Sequence, residues 1–262
     1  MSLKMSNITI LGAYGAKSDR CASSAFYLNQ TNMLDAGNIL RPLKEESANI
    51  ERIWITHSHL DHISDIAYIL DNYYEQRKKP LRICGLKETL ATLKEHFFNN
   101  KIWPDFSQIP LHEKEEMSLV YEEVLLGEKY SIGEEESIEA FKTDHTIPSC
   151  GYIITKAQKS ILISADTYSL TSVEEAVLSH HNITSVVLEC SFPSSMSVLA
   201  KASKHLTPEL LFLKLKPLEE KGLKLYINHL KPSYVNTIIN EIEALKGDWD
   251  VKILTDGDRI TF

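Results

Sequence analysis

Short apolar runs separated by turn-forming residues dominate the first third of the chain. This pattern is typical of short β-strands, because glycine, proline, asparagine and aspartate end a strand and begin a turn. The segment Gly12–Arg20, between the first two runs, is predicted to be a loop. The runs predict strands at Asn7–Leu11, Ala25–Leu28, Met33–Leu34, Ile53–Ile55 and Leu81–Cys84.

Other segments repeat apolar residues every three or four positions, which predicts amphipathic helices. The longest of these segments begins at Asp61, just after the strand Ile53–Ile55 and a few polar residues. Another opens with Pro208, a residue that the first turn of a helix favours. The predicted helices are Asp61–Lys79, Lys87–Phe98, Thr171–Ser179, Thr207–Leu218 and Tyr234–Leu245.

The rest of the chain adds strands between these helices. Asn99–Pro110 carries prolines and aromatic residues and is predicted to be a loop or a lid. Strands are predicted at Leu119–Leu125, Tyr130–Phe141, Tyr152–Thr155, Ser160–Ser164, Ser185–Glu189, Leu225–Ile227, Val251–Leu254 and Arg259–Phe262. Because pairs of strands occur between helices, the pattern predicts an α/β fold with two mixed sheets packed face to face and helices outside. Neither a linker nor a repeat interrupts it, so residues 1–262 are expected to form a single domain.

The charge balance excludes one large class of function. The chain has 28 lysines and arginines against 36 aspartates and glutamates, so its formal net charge is −8. A protein that holds long nucleic acid by charge alone is expected to be basic, so we expect no such partner. Small anionic substrates remain compatible with this charge, because a bound metal ion can reverse the sign of the local field.

Neither a membrane span nor a disulfide framework is expected. No apolar run reaches about 18 residues, the length that a membrane-spanning helix needs. Segment 1–17 lacks the apolar stretch and the cleavage site of a signal peptide, so a cytoplasmic location is the default expectation. The cysteines lie far apart and are expected to be reduced, buried thiols, namely Cys21, Cys84, Cys150 and Cys190.

One motif dominates the chemistry of the sequence. The residues Thr56-His57-Ser58-His59-Leu60-Asp61-His62 come directly after the predicted strand Ile53–Ile55. Imidazole and carboxylate groups are the ligands that zinc, manganese and iron accept. Four such groups crowded on one turn would repel or desolvate one another without a cation. The motif therefore predicts a metal centre.

Three more ligand candidates follow apolar strands elsewhere in the chain. His145 comes after the run that ends at Phe141, Asp166 ends the run that begins at Ile161, and His229 follows the run that begins at Leu225. Strand ends are where open sheets present reactive groups. We therefore interpret His145, Asp166 and His229 as candidates for the same centre.

The order H-x-H-x-D-H, then His, Asp and His, is similar to that of the metallo-β-lactamase superfamily. Within it, the chain resembles the class II cyclic-nucleotide phosphodiesterases. One departure is the loop Gly12–Lys17, which is poorer in glycine than the usual opening of that family. The closer resemblance rests on stretches along almost the whole chain, namely Ile10–Gly15, Leu34–Gly37, Thr56–Ser64, Phe98–Asp105, Ile147–Tyr152, Glu189–Pro193, His205–Pro208 and Asn228–Pro232.

The resemblance implies a four-layer αββα sandwich with a two-metal site at one edge, between the sheets. It assigns one ion to His57, His59 and His145, the other to Asp61, His62 and His229, and a bridging role to Asp166. Zinc is the expected metal, with manganese or iron as alternatives. A bridging water or hydroxide would attack a phosphodiester, and Asp61 would both hold a metal and orient that nucleophile.

His205 is the candidate for the remaining chemical task, which is protonation of the leaving alkoxide or contact with the phosphate. It precedes Thr207 and Pro208 at a helix start, where the positive partial charge favours anions. The resemblance also places a histidine at this point in related phosphodiesterases. The alternative is a surface histidine beside a helix. Aromatic residues in loops that could reach the site are Trp103, Phe106 and Phe192. The remaining histidines, His96, His112, His180 and His181, are interpreted as surface or structural residues.

The function predicted from these residues is metal-dependent hydrolysis of a 3′,5′-cyclic nucleotide, a small-molecule phosphodiester. A nuclease that processes tRNA 3′ ends is a second hypothesis, although the basic, Gly/Pro-rich arm expected of it is not found in the sequence. Hydrolysis of a thioester, lactone or lactam is a third hypothesis, and a non-catalytic binding role is a fourth. A homodimer is the default oligomeric expectation.

Overall fold

Two β-sheets account for the centre of the structure, a computed structural model that describes residues 7–262. Residues 1–6, the start of the segment searched for a signal peptide, lie outside the described residues. In chain order the strands are β1 (Asn7–Gly12), β2 (Ala25–Asn29), β3 (Asn32–Leu34), β4 (Arg52–Trp54), β5 (Leu81–Gly85), β6 (Leu119–Glu123), β7 (Lys129–Gly133), β8 (Glu136–Lys142), β9 (Cys150–Lys156), β10 (Lys159–Ile163), β11 (Ile183–Glu189), β12 (Lys224–Asn228), β13 (Val251–Ile253) and β14 (Arg259–Thr261).

Each sheet has seven strands and mixes antiparallel with parallel pairing. The first sheet has the order β14-β1-β2-β3-β4-β5-β6, and its strands are parallel from β3 to β6. The second has the order β13-β12-β11-β10-β9-β8-β7 and is parallel from β10 to β13. These parallel halves require helical crossovers, which supply the outer layers of the fold.

The helices are short and lie between the strands in the chain. They are α1 (Leu40–Leu43), α2 (Leu60–Asn72), α3 (Lys87–Thr92), α4 (Thr171–Ser179), α5 (Ser197–Ala202), α6 (Pro208–Leu215) and α7 (Val235–Leu245). As the proline predicted, α6 begins at Pro208, and the side chain of Thr207 caps it by accepting a hydrogen bond from the backbone N–H of Leu210. None of the helices in residues 7–262 combines the length and the apolar character that crossing a membrane requires.

The alternation of apolar residues in the strands builds three layers of core. In β10, Ile161 and Ile163 pack between the sheets, whereas Leu162 points outward and packs beneath helices such as α4. The outer face of the first sheet is covered by α2, whose Ile66 belongs to the same buried cluster as Ile53 of β4. Full burial of such a side chain contributes about 1.5–3 kcal/mol. The predicted αββα sandwich is confirmed.

Two predicted elements differ from the structure more than the others do. The helix predicted over Asp61–Lys79 ends at Asn72, because the chain turns at Tyr73, whose carbonyl accepts the backbone N–H of Arg77. The buried guanidinium of Arg77 donates to the carbonyls of Ala48 and Ile50 and ties this turn to the segment before β4.

The strand predicted over Tyr130–Phe141 is two strands. β7 and β8 form an antiparallel hairpin whose turn contains Glu134 and Glu135, the latter with a φ of 55°. The positive φ of Glu135 lies outside the extended range of a strand, so the chain reverses at this exposed, acidic turn. Helices α1 and α5 were not predicted, because each is too short to show an apolar period.

Candidate metal centre

Side chains from both sheets meet at one edge of the sandwich. The motif that follows β4 enters α2 and supplies the first four candidates, His57, His59, Asp61 and His62. The loops after β8, β10 and β12 supply the other three, which are His145, Asp166 and His229. Sequence-distant candidates therefore converge because they all follow strands that end at this edge.

The first group of ligand-type atoms belongs to His57, His59, His145 and Asp166, all within 4.8 Å of one another. Nδ1 of His59 lies 3.0 Å from Nε2 of His57 and 3.2 Å from Nε2 of His145. Oδ2 of Asp166 lies 3.6 Å from Nε2 of His57 and 3.8 Å from Nε2 of His145. This is the set that the resemblance assigns to one ion.

The second group consists of Asp61, His62 and His229, also within 4.8 Å. Nε2 of His229 lies 3.2 Å from Nε2 of His62 and 3.5 Å from Oδ2 of Asp61. Asp166 belongs to both groups in space, because its Oδ1 lies 3.2 Å from Nε2 of His229 and its Oδ2 lies 3.5 Å from Nε2 of His62. The geometry thus brings together all seven predicted residues, with Asp166 in the centre.

Outer partners take the second ring nitrogen of four imidazoles. Hydrogen bonds from Nδ1 run from His57 to the Thr56 hydroxyl, from His62 to Asp35, from His145 to the carbonyl of Lys204 and from His229 to the Ser191 hydroxyl. Their Nε2 atoms therefore face the cluster, which is how histidine ligands are held in metal sites.

The centre of the cluster contains a buried carboxylate oxygen without a hydrogen-bond partner among residues 7–262. Oδ1 of Asp166 is buried and accepts no hydrogen bond from any described residue, although Nε2 of His229 is close. Buried carboxylates without a partner are costly, and lone pairs of imidazoles facing one another at about 3 Å repel. Divalent cations would satisfy both, so the residues present fit divalent metal ions.

Burial and neighbouring charges set the protonation of the cluster. Burial lowers the pKa of His57 well below its usual value and lowers that of His145 to about 4. Burial alone would raise the pKa of Asp166, but the imidazoles of His229 and His62 outweigh it and hold the pKa well below its usual range. Neutral imidazoles and an ionised carboxylate are the forms that bind metals.

Asp35 is a residue of the site to which we assigned no role from the sequence. Its buried carboxylate accepts from Nδ1 of His62 at 2.7 Å and from the backbone N–H of Thr56 at 2.9 Å. Burial disfavours the imidazolium of His62, but Asp35 and Asp166 outweigh burial and raise the pKa of His62 well above its usual value. The signal was an aspartate at the end of the apolar strand Met33–Leu34.

Glu189 is the second residue without a predicted role, and it holds His205. Its side chain is completely buried at the end of β11, and Oε1 accepts from Nδ1 of His205 at 2.9 Å. Oε2 accepts from the hydroxyl of Ser191 at 2.8 Å. The signal in the sequence was a glutamate that ends the apolar run Ser185–Glu189.

His205 itself is buried, so the alternative of a surface histidine is wrong. Its ring stacks on that of His229 with centroids 5.4 Å apart and lies 5.1 Å from the ring of His145. Burial lowers the pKa of His205, but the Glu189 carboxylate outweighs burial, and the net shift is upward. His205 therefore lies beside the cluster with Nε2 free.

Among the loop aromatics, Phe192 reaches the site. Its ring centroid lies 5.8 Å from that of His205. Trp103 packs against Tyr68, and Phe106 packs near Tyr74.

The other histidines lie outside the cluster. Of the four free cysteines, three are buried, whereas Cys21 is partly exposed.

Known proteins similar to this chain include phosphodiesterases and ribonucleases. The family model of class-II cAMP phosphodiesterases matches residues 21–171. The 3′,5′-cyclic-nucleotide phosphodiesterase 1 of Saccharomyces cerevisiae is 37% identical over 79 residues, which are 30% of this chain and 21% of the relative. A probable 3′,5′-cyclic-nucleotide phosphodiesterase of Yersinia pestis is 24% identical over 217 residues, which are 71% of this chain and 58% of that protein. A ribonuclease Z of Thermococcus sibiricus is 31% identical over 121 residues, which are 46% of this chain and 34% of the ribonuclease.

Solved structures share the whole fold. Unliganded yeast PDE1 superposes with a TM-score of 0.80 at 22% identity and covers 98% of this chain and 99% of its own. A metallo-β-lactamase fold protein of Bacillus subtilis gives a TM-score of 0.76 at 17% identity, with 98% and 99% covered. The chain spans less than two thirds of the length of each of the three relatives named above. Because the family model covers more than half of the chain, this protein belongs to the class-II cAMP phosphodiesterase family.

Proposed function

We propose that the protein is a metal-dependent phosphodiesterase that hydrolyses 3′,5′-cyclic nucleotides. The proposal is carried by two groups of imidazole and carboxylate side chains that share Asp166, with the pair formed by Glu189 and His205 beside them. Family membership and the activity for which two relatives are named support the substrate class. A single domain over residues 1–262, a homodimer and a cytoplasmic location stay predictions.

Two divalent ions fit the cluster, with zinc as the first candidate and manganese or iron as alternatives. His57, His59 and His145 would hold one ion, and Asp61, His62 and His229 the other. Asp166 lies between the two groups and would help to hold both ions. When bound, the ions would supply Lewis-acid stabilisation of the phosphoryl charge and lower the pKa of a water molecule.

Asp61 is suited to orient the nucleophilic water. It lies in the first turn of α2, and its side chain is 23% exposed, whereas that of Asp166 is buried. Burial raises the pKa of Asp61, but the hydrogen bond with His229 outweighs it and holds the pKa below its usual value. The ionised carboxylate would accept a hydrogen bond from the water molecule. This bond would direct a lone pair of the water oxygen towards the phosphorus.

His205 is suited to protonate the leaving alkoxide. Nδ1 donates to Glu189, so a second proton on the imidazolium is carried by Nε2, the nitrogen that faces away from Glu189. The carboxylate keeps this proton on the ring towards neutral pH, where a general acid is needed. The ribose alkoxide of a cyclic nucleotide is a poor leaving group, so the transfer matters for this substrate.

Turnover of cyclic AMP, cyclic GMP and bis(4-nitrophenyl) phosphate by the zinc- or manganese-loaded protein tests the proposal. The matched variant is Asp166→Asn, which keeps the shape of the side chain and removes its charge. We expect hydrolysis of a cyclic nucleotide and its loss in the variant. A metal-loaded protein that opens no cyclic nucleotide with any of the metals would contradict the substrate assignment.

RNA 3′-end processing is the second candidate, because three of the similar sequences are ribonucleases Z of Thermococcus species. The long irregular segment 98–118 contains Glu113, Glu115 and Glu116, so it is not a basic arm. The sequence has no basic, Gly/Pro-rich insertion of the kind expected of such a nuclease, which favours the small substrate. Cleavage of a tRNA precursor in place of cyclic nucleotides would support the second candidate.

A further inference from the structure

We propose that Lys231 binds a non-bridging phosphoryl oxygen of the substrate and thereby selects anionic phosphodiesters over neutral esters. This inference rests on the proposed function and deepens it. Lys231 lies two residues after His229, in the segment that leaves β12. It belongs to neither group of candidate ligands, and no role was assigned to it from the sequence.

Lys231 places a positive charge at the edge of the cluster. Its Nζ lies 4.0 Å from Oδ2 of Asp61, and its side chain is 25% exposed. Among the lysines and arginines of residues 7–262, Lys231 alone lies within 4.0 Å of a carboxylate of the cluster. A separation of 4.0 Å is too long for a hydrogen bond, so Asp61 does not occupy the ammonium group.

The ammonium group keeps donors for a ligand. Nζ donates to the carbonyl of Gly15 at 2.6 Å, and the backbone N–H of Lys231 donates to the carbonyl of Ser191 at 3.2 Å. An ammonium has three N–H donors, and the other two have no hydrogen-bond partner among the described residues. The side chain is thus held at both ends before substrate binds, which reduces the entropy lost on binding.

Gly15, whose carbonyl accepts from Nζ of Lys231, packs against the candidate ligand His229. A Cβ built on Gly15 would lie 2.7 Å from two atoms of the His229 ring, so the loop after β1 lies directly against that imidazole. The Gly15 carbonyl therefore fixes Nζ next to the cluster and not at a distant point of the surface. Because Nζ lies 4.0 Å from Oδ2 of Asp61, a phosphoryl group held beside that candidate ligand would lie near the ammonium group.

Charge explains why this contact would select substrates. A phosphodiester is an anion, whereas a carboxylic ester, a lactone or a thioester is neutral. A hydrogen bond from an ammonium to a phosphoryl oxygen is charge-assisted, and its loss lowers kcat/KM by about 10- to 100-fold. Removal of Lys231 should therefore weaken binding of phosphodiesters and of inorganic phosphate together.

The test compares the variant Lys231→Met with Lys17→Met and with the conservative variant Lys231→Arg. Lys17 is a matched control, because it lies in the same loop as Gly15 but donates to Ser64 and Asp65 on α2. The readouts are bound metal content, the melting temperature, KM and kcat for cyclic AMP, and the dissociation constant of inorganic phosphate for the metal-loaded protein.

We expect Lys231→Met to keep its metal and its melting temperature, to raise KM more than it lowers kcat, and to weaken phosphate binding about tenfold or more. Lys17→Met should behave as the unmodified protein, and Lys231→Arg should recover most of the phosphate affinity. A loss of metal and melting temperature at unchanged phosphate affinity would show that Lys231 only braces Gly15.

Phosphate binding separates this inference from the proposed function. If the unmodified protein binds phosphate through Lys231 but hydrolyses no phosphodiester, the proposed function is overturned and the anion contact is supported. If phosphate binds equally to all four proteins, or to none of them, the anion contact is overturned whatever the turnover.

Discussion

Oδ2 of Asp35 lies 2.7 Å from Nδ1 of His62, and both side chains are almost completely buried. This hydrogen bond fixes the ring so that Nε2 faces Asp166 and His229. Asp35 also holds the first residue of the motif, since its Oδ1 accepts the backbone N–H of Thr56. The carboxylate of Asp35, which follows β3, thus orients the motif by hydrogen bonds to its first and last residues.

Replacement of Asp35 should weaken metal binding without removing a candidate ligand. We expect Asp35→Ala to lower metal affinity by about 10- to 100-fold, which is typical for loss of a residue that orients a histidine ligand. Competition with a chelator of known affinity measures the change. Asp19→Ala is the control, because that aspartate is exposed. Equal affinities in the two variants would contradict the positioning role of Asp35.

A methyl group at Gly15 should disturb the second group of candidate ligands. The new Cβ would lie 2.7 Å from the His229 ring and 2.9 Å from the His229 carbonyl oxygen. Because the backbone cannot yield as easily as a flexible side chain, we expect Gly15→Ala to displace His229, at a cost of about 1–3 kcal/mol.

The measurement for Gly15→Ala is metal stoichiometry. Gly85→Ala is the control, because a Cβ there would meet its neighbours at 3.5 Å or more. We expect reduced metal content in the Gly15 variant and full content in the Gly85 variant. Full metal content in both would mean that the loop moves away at little cost.

The pair formed by Glu189 and His205 predicts a dependence on the leaving group. Cyclic AMP needs a proton on its alkoxide, whereas 4-nitrophenolate leaves without one. We expect His205→Ala to reduce kcat for cyclic AMP by about 100- to 10,000-fold and to reduce hydrolysis of bis(4-nitrophenyl) phosphate much less. Glu189→Gln should also reduce hydrolysis of both substrates, each by a smaller factor than His205→Ala does.

Metal content distinguishes this role of His205 from metal binding. Its atoms also lie within 4.8 Å of Asp166 and His229, so it could act as a ligand. A proton donor can be removed while the metal stays bound. Loss of an ion in His205→Ala, with equal losses on both substrates, would show that His205 is a ligand.

The carboxylate of Glu122 predicts an acid-dependent contribution to stability. Burial would raise its pKa, but hydrogen bonds from Arg82 and Cys84 and the charge of Arg52 outweigh burial and lower it below 4.5. A carboxyl with a lowered pKa stabilises the fold above its unfolded pKa, and this contribution is lost as the pH falls through the folded pKa. The pair is one third exposed, so the effect is about 0.2–1 kcal/mol.

Urea unfolding of Glu122→Gln and the unmodified protein at several pH values checks this prediction. We expect the variant to be less stable at pH 7 and the difference to vanish in acid below the folded pKa of Glu122. If the stability difference between the two proteins persists unchanged in acid, it arises from packing and not from the charge of Glu122.

Local patterns in the sequence predicted those parts of the molecule that short-range rules determine. His57, His59, Asp61 and His62 share one turn, so their joint role was visible from spacing alone. His145, Asp166 and His229 were visible as polar residues after apolar strands, and the structure brings them to the same edge. The presence of two mixed sheets with helices outside followed from the alternation of strand pairs with helices.

Contacts between distant segments could not be predicted in this way. Asp35 and His62 meet because β3 and β4 are parallel neighbours, and Glu189 meets His205 because the chain returns past the end of β11. Hydrophobic periodicity identifies strands but not which of them pair. The predicted end of α2 was wrong for the same reason, since Arg77 binds carbonyls of a segment far away in the chain.

The cluster takes four of its seven side chains from the first sheet and three from the second. Any cation bound by both groups would therefore connect the two halves of the sandwich, and the sheets could not separate without releasing it. Folding and metal occupancy become a single linked equilibrium. Each tenfold increase of free metal above its dissociation constant would add about 1.4 kcal/mol per ion to the resistance of the fold against unfolding.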